Sequence, residues 1–340
     1  MSNAPFVLTG KSPNSEEMSS ILITGAGGFL GNRIAQAILQ QGNVKKLVLT
    51  DVVTPKFTGG GDIVHCVQAD LVKEPEKVIT EDLDKIFLLH GIMSGGAEAD
   101  FELGMKVNLD ATRSILEILR KNNQKNKKQV RVVFTSSCAC FGGNLPDVID
   151  ESTALNPQSS YGTEKAICEL LINDYSRRGF LDGVILRYPT VVVRPGPPSS
   201  ATSSFASGII REPLNNEEAI LPVSKDLKIW VAGTNNIVRN SVLASTISTA
   251  NFGPTRVVNL PGVTVTVHDI IAALVEVGGK DKVKYIVEKE DPVLEKIVTS
   301  WPDTFNTRRA IKLGFLPDPG FKQAVTDFIE EETAKKRNAQ

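Results

Sequence analysis

The sequence predicts an α/β fold, a doubly wound parallel sheet joined to a smaller, interleaved C-terminal α/β lobe. Three observations support this prediction. Short apolar runs alternate with helical apolar spacing, a glycine-rich turn joins the first run to the first helix, and Pro, Gly and Ser become frequent after residue 189. Strands that alternate with helices form parallel sheets, because each connecting helix packs back onto a face of the sheet.

Six apolar runs are predicted as strands of this sheet, and three longer segments as helices. Short runs bounded by turn residues are typical of buried strands, whereas apolar residues three and four apart are typical of helices. The strands are predicted at 21–23, 46–49, 64–67, 85–89, 130–135 and 183–186. The helices are predicted at 29–39, 101–120 and 161–177.

The composition indicates a globular protein with a small-molecule partner. The 340 residues are 41% hydrophobic and 23% charged, and the formal net charge is −1. A chain this close to neutrality has no overall field to attract nucleic acid or an anionic membrane, and no apolar run is long enough to span a bilayer. We therefore expect neither nucleic acid nor membrane as a partner.

The cysteines and histidines follow no metal or disulfide pattern. The four cysteines are not spaced as a disulfide framework or as two zinc knuckles, and the three histidines are scattered along the chain. Cysteines without partners are typical of proteins in a reducing compartment. We therefore expect no metal site and a cytoplasmic location.

The glycine-rich turn TGAGGFLG, residues 24–31, is typical of a dinucleotide site. It lies between the first predicted strand and helix, where the backbone must approach a pyrophosphate closely and the amides at the helix start face the anion. The turn therefore predicts a Rossmann-type sheet with these cofactor contacts: Gly25, Gly28, Phe29, Leu30 and Gly31.

Acidic residues after the second and third strands extend this site. Asp51 lies about twenty residues beyond the turn, where a carboxylate accepts hydrogen bonds from the adenosine ribose. No Lys or Arg occurs from Asp51 to Pro55, and Asp51 would repel the additional phosphate of NADP. The cofactor is therefore predicted to be NAD, with Asp70 and Leu71 at its adenine edge.

Tyr161 and Lys165 form a candidate acid–base pair. They are four residues apart near the start of a predicted helix, so both project from one face. A phenol has a pKa near 10, and a positive charge nearby favours its ionised form. Ser137 follows a predicted strand at the ligand-binding edge, where its hydroxyl can hydrogen-bond a substrate oxygen. The three residues predict hydride-transfer chemistry in which Tyr161 removes the hydroxyl proton.

The turn TGAGGFLG, Asp51, the strand end TSSCACFG and the helix start YGTEK occur in the order that resembles an extended short-chain dehydrogenase/reductase, over roughly residues 21–194. The resemblance implies that Ser137 positions the substrate hydroxyl, Tyr161 acts as general acid/base, and Lys165 binds ribose and lowers the pKa of Tyr161. It also implies that Asn108 supports a proton-relay water, and that the helices containing Asn108 and Tyr161 form a homodimer.

Four further segments, SGGAEADFELGMKVN, NDYSRRGFLDG, RYPTVVVRPG and SSFASGIIREPL, are similar to the D-erythronate dehydrogenase branch of that family. The resemblance implies NAD-dependent oxidation of the C2 hydroxyl of a small sugar acid to the 2-keto acid, in sugar acid catabolism. A planar guanidinium binds a carboxylate through two parallel hydrogen bonds. The candidate substrate ligands are Ser94, Ser137, Arg187, Arg194 and Arg211.

The domain boundaries follow from these assignments. Residues 1–19 are predicted as a loose N-terminal extension, 20–190 as the NAD-binding domain, and 191–340 mainly as the substrate lobe, with some segments returning to the core.

Two other functions are compatible with this fold. A nucleotide-sugar 4-epimerase would use the same scaffold and hold NAD tightly, and a regulator would bind NAD without turnover. Dehydratases of the group place an Asp-Glu pair after the catalytic Ser or Thr, whereas Cys138 and Ala139 follow Ser137 here. Dehydration is therefore disfavoured, and the epimerase is the main alternative.

Overall fold

The computed structural model describes residues 18–199 and 201–338. Residues 1–17, which make up most of the expected N-terminal extension, lie outside the described residues. Ser19 does not belong to an extension, because it begins the first strand and is buried.

Twelve strands and eleven α-helices are present in the described part of the chain. The strands are β1 (Ser19–Thr24), β2 (Val44–Asp51), β3 (Val64–Gln68), β4 (Lys85–Leu88), β5 (Arg131–Ser137), β6 (Asp182–Tyr188), β7 (Thr190–Val192), β8 (Ala219–Leu221), β9 (Lys228–Gly233), β10 (Val257–Asn259), β11 (Val263–Thr266) and β12 (Ile286–Glu288). The helices are α1 (Phe29–Gln41), α2 (Ser94–Ala99), α3 (Phe101–Gly104), α4 (Ala111–Asn126), α5 (Ser160–Arg177), α6 (Phe205–Leu214), α7 (Thr234–Ala244), α8 (Val267–Gly278), α9 (Pro292–Thr299), α10 (Arg308–Lys312) and α11 (Phe321–Asn338).

The central sheet has seven parallel strands in the order β10-β6-β5-β4-β1-β2-β3. The order reverses beside β1, so that the chain winds first to one side and then to the other. The predicted doubly wound parallel sheet is confirmed, and all six predicted strands belong to it.

Both faces of the sheet are buried, which explains why its strands are apolar throughout. Successive side chains of a strand point to opposite faces. Ile21 and Ile23 therefore pack in one core cluster, and Leu22 between them packs in the other. Val133 and Phe134 of β5 divide in the same way between the two clusters.

The segment predicted as one helix over residues 101–120 is helical but not regular. Met105–Asp110 forms a π-helical segment between α3 and α4. Such segments widen a helix by one residue per turn and are frequent at functional sites. The widened turn contains Asn108, whose side chain is buried and bonded outside the helix.

The sequence after residue 190 contributes to two cores. Strands β7, β9 and β11 form a second sheet, β8 pairs with β12, and helices α6, α8 and α11 pack with them around a separate apolar cluster. In contrast, β10 extends the central sheet beside β6, and α7 packs against α1. The C-terminal chain is thus interleaved with the dinucleotide-binding part.

Candidate active site

The carboxyl edge of the central sheet brings together the residues on which the sequence analysis depends. Because the strands are parallel, the ends of β1, β2, β4 and β5 meet at this edge. β1 leads into the glycine turn, β2 ends at Asp51, β5 ends at Ser137, and α5 carries Tyr161 and Lys165 from its first turn. The candidate site therefore lies where open α/β sheets bind ligands.

The glycine turn has the shape that a pyrophosphate requires. Gly25 has φ +65°, and a Cβ there would lie 2.8 Å from backbone atoms of Leu89 and His90. A Cβ on Gly31 would lie 2.6 Å from the carbonyl oxygen of Gly25, so only glycine allows α1 to pack this closely. Gly28 precedes α1, and no side chain caps the helix start. The free amides of the turn, including those of Phe29 and Leu30, fit the diphosphate of a dinucleotide.

Asp51 is fixed beside this turn. Its carboxylate accepts hydrogen bonds from the backbone amides of Gly27 at 3.0 Å and Val52 at 2.8 Å. The side chain is half-buried and retains capacity to accept further hydrogen bonds from ribose hydroxyls. Its negative charge lies where the additional phosphate of NADP would have to be placed.

Replacing the Asp51 carboxylate by an amide should shift cofactor preference. Because the Asp51→Asn substitution removes the charge at nearly constant shape, we expect the ratio of kcat/KM for NADP to that for NAD to rise by about tenfold. Glu81→Gln is the matched control, because it removes an exposed charge before β4 and should leave the ratio unchanged. An unaltered ratio in the Asp51 variant would show that Asp51 does not select against NADP.

Asp70 and Leu71, which follow β3, have fewer side-chain atoms available to bind a cofactor than the sequence indicates. Asp70 accepts a hydrogen bond from the amide of Val72, and its carboxylate lies 3.0 Å from the ammonium group of Lys73. The hydrogen bond with Lys73 lowers the pKa of Asp70. The side chain of Leu71 is buried in the core, so Leu71 can reach a cofactor only through its backbone. A role for this pair at the adenine remains a prediction.

Ser137, Tyr161 and Lys165 form one constellation. Lys165 donates a hydrogen bond to the carbonyl oxygen of Thr135 at 2.8 Å, and its Nζ lies 5.7 Å from the centre of the Tyr161 ring. The Ser137 hydroxyl accepts a hydrogen bond from the amide of Ala139 at 3.1 Å and is hydrogen-bonded to Tyr161. The strand end and the first turn of α5 thus place a hydroxyl, a phenol and an ammonium group together.

Burial controls the ionisation of this constellation. Burial raises the pKa of Tyr161, while the hydrogen bond with Ser137 opposes the increase. Burial also lowers the pKa of Lys165, and the negative charge of neighbouring groups opposes that decrease. Tyr161 is therefore protonated in the protein alone, and additional positive charge at the site is needed to favour the phenolate.

Asn108 connects two elements beside the candidate site through its side-chain amide. Its Oδ1 accepts a hydrogen bond from the amide of Ile92 at 2.7 Å, and its Nδ2 donates to the carbonyl oxygen of Ile92 at 3.0 Å and to Glu164 at 2.5 Å. Both amide hydrogens are therefore used within the protein, and a relay water at Asn108 stays a prediction. The side chain connects the loop after β4 to α5.

Arg187 is committed to a buried ion pair, which corrects its assignment as a substrate ligand. Its Nε and Nη2 donate to the two oxygens of Glu169 at 2.9 and 2.6 Å, and the side chains of Arg187 and Glu169 are only 4% and 1% exposed. Glu169 also accepts a hydrogen bond from Ser136 at 2.5 Å. The sequence analysis missed this network, although Glu169 lies one helical turn beyond Lys165 on the same face of α5.

The other candidate substrate ligands lie around the segment that follows β7. Arg211 donates to the carbonyl oxygen of Arg194 at 2.8 Å and pairs with Glu212, and its side chain is buried. Arg194 is half-buried and donates to the hydroxyl of Ser199 at 2.6 Å. Ser94 is buried, and its hydroxyl lies 3.2 Å from that of Thr202. Ser94 therefore anchors this segment to α2.

His90 is a further polar residue at this edge of the sheet. Its Nδ1 lies 2.8 Å from the Thr24 hydroxyl and its Nε2 lies 3.3 Å from the Thr112 hydroxyl. Burial and the charge of Lys165 lower the pKa of His90 to about 3, so the ring is neutral. His90 thus connects the glycine turn to α4 without acting as a base.

Neither a metal-binding cluster nor a membrane-spanning helix occurs in residues 18–199 and 201–338. This part of the chain contains no group of three or more His, Cys, Asp or Glu side chains arranged to hold a metal ion. No helix within it is sufficiently long and apolar to cross a membrane.

Known proteins resemble the chain in both sequence and structure. The NAD dependent epimerase/dehydratase family matches residues 21–236. A D-erythronate dehydrogenase of Haemophilus influenzae is 45% identical over 315 residues, covering 91% of this chain and 98% of the relative. A D-erythronate dehydrogenase of Cupriavidus necator is 44% identical over 324 residues, covering 92% and 98%.

A solved structure agrees over a similar length. The nucleoside-diphosphate-sugar epimerase of Agrobacterium tumefaciens has a TM-score of 0.90 and 38% identity, covering 97% of this chain and 98% of that one. The resemblance to the extended short-chain dehydrogenase/reductases is therefore confirmed. The chain belongs to the NAD dependent epimerase/dehydratase family and is an enzyme whose cofactor is NAD.

Proposed function

We propose that the protein oxidises the C2 hydroxyl of D-erythronate, or of a closely similar sugar acid, to the 2-keto acid. The observation that carries the proposal is the intact set of Ser137, Tyr161 and Lys165 in a chain 44–45% identical to two D-erythronate dehydrogenases over nearly its whole length. Chains that bind NAD without turnover have no need of this acid–base set.

Different residues of the chain bind the cofactor, hold the substrate oxygen and accept the proton. When bound, NAD accepts the hydride released from the substrate carbon. The amides of the glycine turn would hold its diphosphate, the Asp51 carboxylate would hold the adenosine ribose, and Lys165 would bind a ribose hydroxyl. Ser137 holds the substrate oxygen by a hydrogen bond, and Tyr161 takes the hydroxyl proton. The ammonium group of Lys165 stabilises the phenolate form of Tyr161 when a bound ligand adds positive charge to the site.

The proposal is tested by following NADH formation with NAD or NADP and a panel of D-erythronate, L-threonate and longer sugar acids. We expect turnover with NAD and D-erythronate, and a much lower kcat/KM with NADP. Absence of turnover on every acid, by a protein that binds NAD, would exclude a sugar acid dehydrogenase.

An epimerase is the second candidate, because a structure 38% identical to this chain is described as a nucleoside-diphosphate-sugar epimerase. An epimerase must retain the reduced cofactor between two hydride transfers, whereas a dehydrogenase releases it. Protein purified with one equivalent of NAD that resists dialysis, and that interconverts UDP-sugars, would favour the epimerase. Protein that needs added NAD and accumulates NADH would favour the dehydrogenase.

We further propose a homodimer in the cytoplasm that serves sugar acid catabolism. α3 packs against α5, and the two helices together carry three exposed apolar side chains, Phe101, Leu103 and Leu170. We call the exposed surface of these two helices the α3–α5 face. A second copy related by a two-fold axis would cover the α3–α5 face on both protomers. The four cysteines form no disulfide, which is compatible with a reducing compartment.

A charge placed on the α3–α5 face should prevent dimer formation. Leu170 is 64% exposed in the single chain, so Leu170→Glu should leave the fold intact while it opposes burial of α5 against a second copy. We expect sedimentation velocity to show a dimer for the wild type and a monomer for the variant. The control is Val293→Glu on α9, where a residue 73% exposed is replaced away from the α3–α5 face. A wild-type monomer, or a dimeric Leu170 variant, would contradict the proposal.

A further inference from the structure

We propose that Arg194 binds the carboxylate of the substrate and thereby selects a 2-hydroxy acid over a neutral sugar. This inference rests on the proposed dehydrogenase function. The sequence offers three arginines as candidate carboxylate ligands. The structure favours one of them, because it shows the hydrogen-bond partners of each guanidinium.

Two of the three arginines already have carboxylate partners. Arg187 is held in bidentate fashion by Glu169, and both side chains are almost fully buried. Arg211 forms an ion pair with Glu212, and its Nη1 donates a hydrogen bond to the backbone carbonyl oxygen of Arg194. The charge of both guanidinium groups is thus already neutralised within the protein, so a substrate carboxylate would gain less from either of them.

Arg194 differs because its charge is not neutralised within the described residues. None of the ion pairs in residues 18–199 and 201–338 includes Arg194, and the only side chain there that accepts a hydrogen bond from its guanidinium is Ser199. Burial and the positive charge of Arg211 both lower the pKa of Arg194. A half-buried guanidinium that faces a second cation and no carboxylate has a strong preference for an anionic ligand.

The location of Arg194 suits the reaction. Tyr161 is among the groups that influence the pKa of Arg194, so the guanidinium and the phenol belong to one electrostatic neighbourhood. In a 2-hydroxy acid the carboxylate is bonded directly to the carbon that loses the hydride, so the ligand of the carboxylate must lie beside the general base. Binding of the carboxylate at Arg194 would therefore place the C2 hydroxyl, rather than the C3 or C4 hydroxyl, at Tyr161.

The backbone of Arg194 is fixed independently of its side chain. Its amide donates to the buried hydroxyl of Ser207 at 3.1 Å, and its carbonyl oxygen accepts from Arg211 at 2.8 Å. Both partners lie on α6, so the helix holds the residue in place while the guanidinium remains available. A ligand group held in this way loses little conformational freedom when the substrate binds.

The test compares D-erythronate with its uncharged amide, D-erythronamide, in the wild type and in Arg194→Met and Arg194→Lys variants. We expect Arg194→Met to lower kcat/KM for the acid by about 10- to 100-fold, mainly through KM, and to leave kcat/KM for the amide nearly unchanged. Arg194→Lys should lose less, because it keeps the charge but not the paired hydrogen bonds. The NADH dissociation constant, measured by fluorescence, should stay the same.

The control is Arg177→Met, which removes an arginine that is 74% exposed on α5 and should leave both substrates unaffected. Equal losses on the acid and the amide in Arg194→Met would show a structural role and overturn the inference. So would an unchanged kcat/KM for the acid. A wild type that oxidises no sugar acid would overturn the proposed function instead. The wild type thus tests the proposed function, and the Arg194 variants test the role of Arg194.

Discussion

The Tyr161→Phe variant is expected to lose about 10²- to 10⁴-fold in kcat and to bind NAD almost as tightly as the wild type. The substitution removes only the hydroxyl, which hydrogen-bonds Ser137 and is the proposed acceptor of the substrate proton. The cofactor contacts of the glycine turn and Asp51 are left intact. Steady-state kinetics gives kcat, and NADH fluorescence titration gives the dissociation constant.

The pH dependence of the wild type should follow from the same group. Burial raises the pKa of Tyr161, so only a small fraction of the phenol is ionised near neutral pH. The kcat/KM for oxidation should therefore rise with pH, by about tenfold per unit on the acidic limb, and level off once Tyr161 in the NAD complex is ionised. The Phe variant should lack this dependence. Retention of wild-type turnover by Tyr161→Phe, or a rate that falls as pH rises toward 9, would show that Tyr161 is not the base.

The Glu169→Ala variant is expected to lose about 3–5 kcal/mol in the free energy of unfolding. The substitution leaves the Arg187 guanidinium, 4% exposed, without its hydrogen-bonded carboxylate and removes the acceptor of the Ser136 hydroxyl. Removing one partner of a buried ion pair costs more stability than the intact pair contributes, because the remaining charge stays desolvated. Urea unfolding of the NAD-free protein measures the difference.

Two further variants test this explanation. Asp174→Ala breaks the Arg177–Asp174 pair on the same helix, whose side chains are 74% and 50% exposed, and should cost less than about 1 kcal/mol. The double variant Glu169→Leu with Arg187→Met should recover much of the lost stability, because no buried charge remains unpaired. Equal losses for Glu169→Ala and Asp174→Ala would indicate that the buried pair has no special importance for stability.

The central sheet and the grouping of Ser137, Tyr161 and Lys165 could be predicted from the sequence because both produce local patterns. Buried strands are apolar throughout, and a pyrophosphate turn needs glycine at positions such as Gly25 and Gly31, where a Cβ would meet backbone. Tyr161 and Lys165 are four residues apart, and Ser137 ends a strand, so helical and strand geometry are enough to place them near one another.

Other features could not be predicted because they depend on contacts between distant segments. Arg187 is paired with Glu169, 18 residues earlier in the chain, and this pairing removes it from the substrate site. Asn108 bonds the backbone of Ile92 on another element, a contact that the sequence does not reveal. The π-helical segment around Asn108 was likewise invisible to helical periodicity, because the pattern of apolar residues continues through it.

The sequence by itself determined the fold class and the cofactor and predicted the acid–base set, since each follows from residue types at short spacing. The tertiary structure alone decided which polar groups have partners and which remain available. Arg187, Arg194 and Arg211 are chemically identical side chains, and only the carboxylates that folding places beside two of them distinguish the third. The physical reason is that a buried charge is governed by its neighbours in space, and folding decides which side chains, near or distant in the chain, become those neighbours.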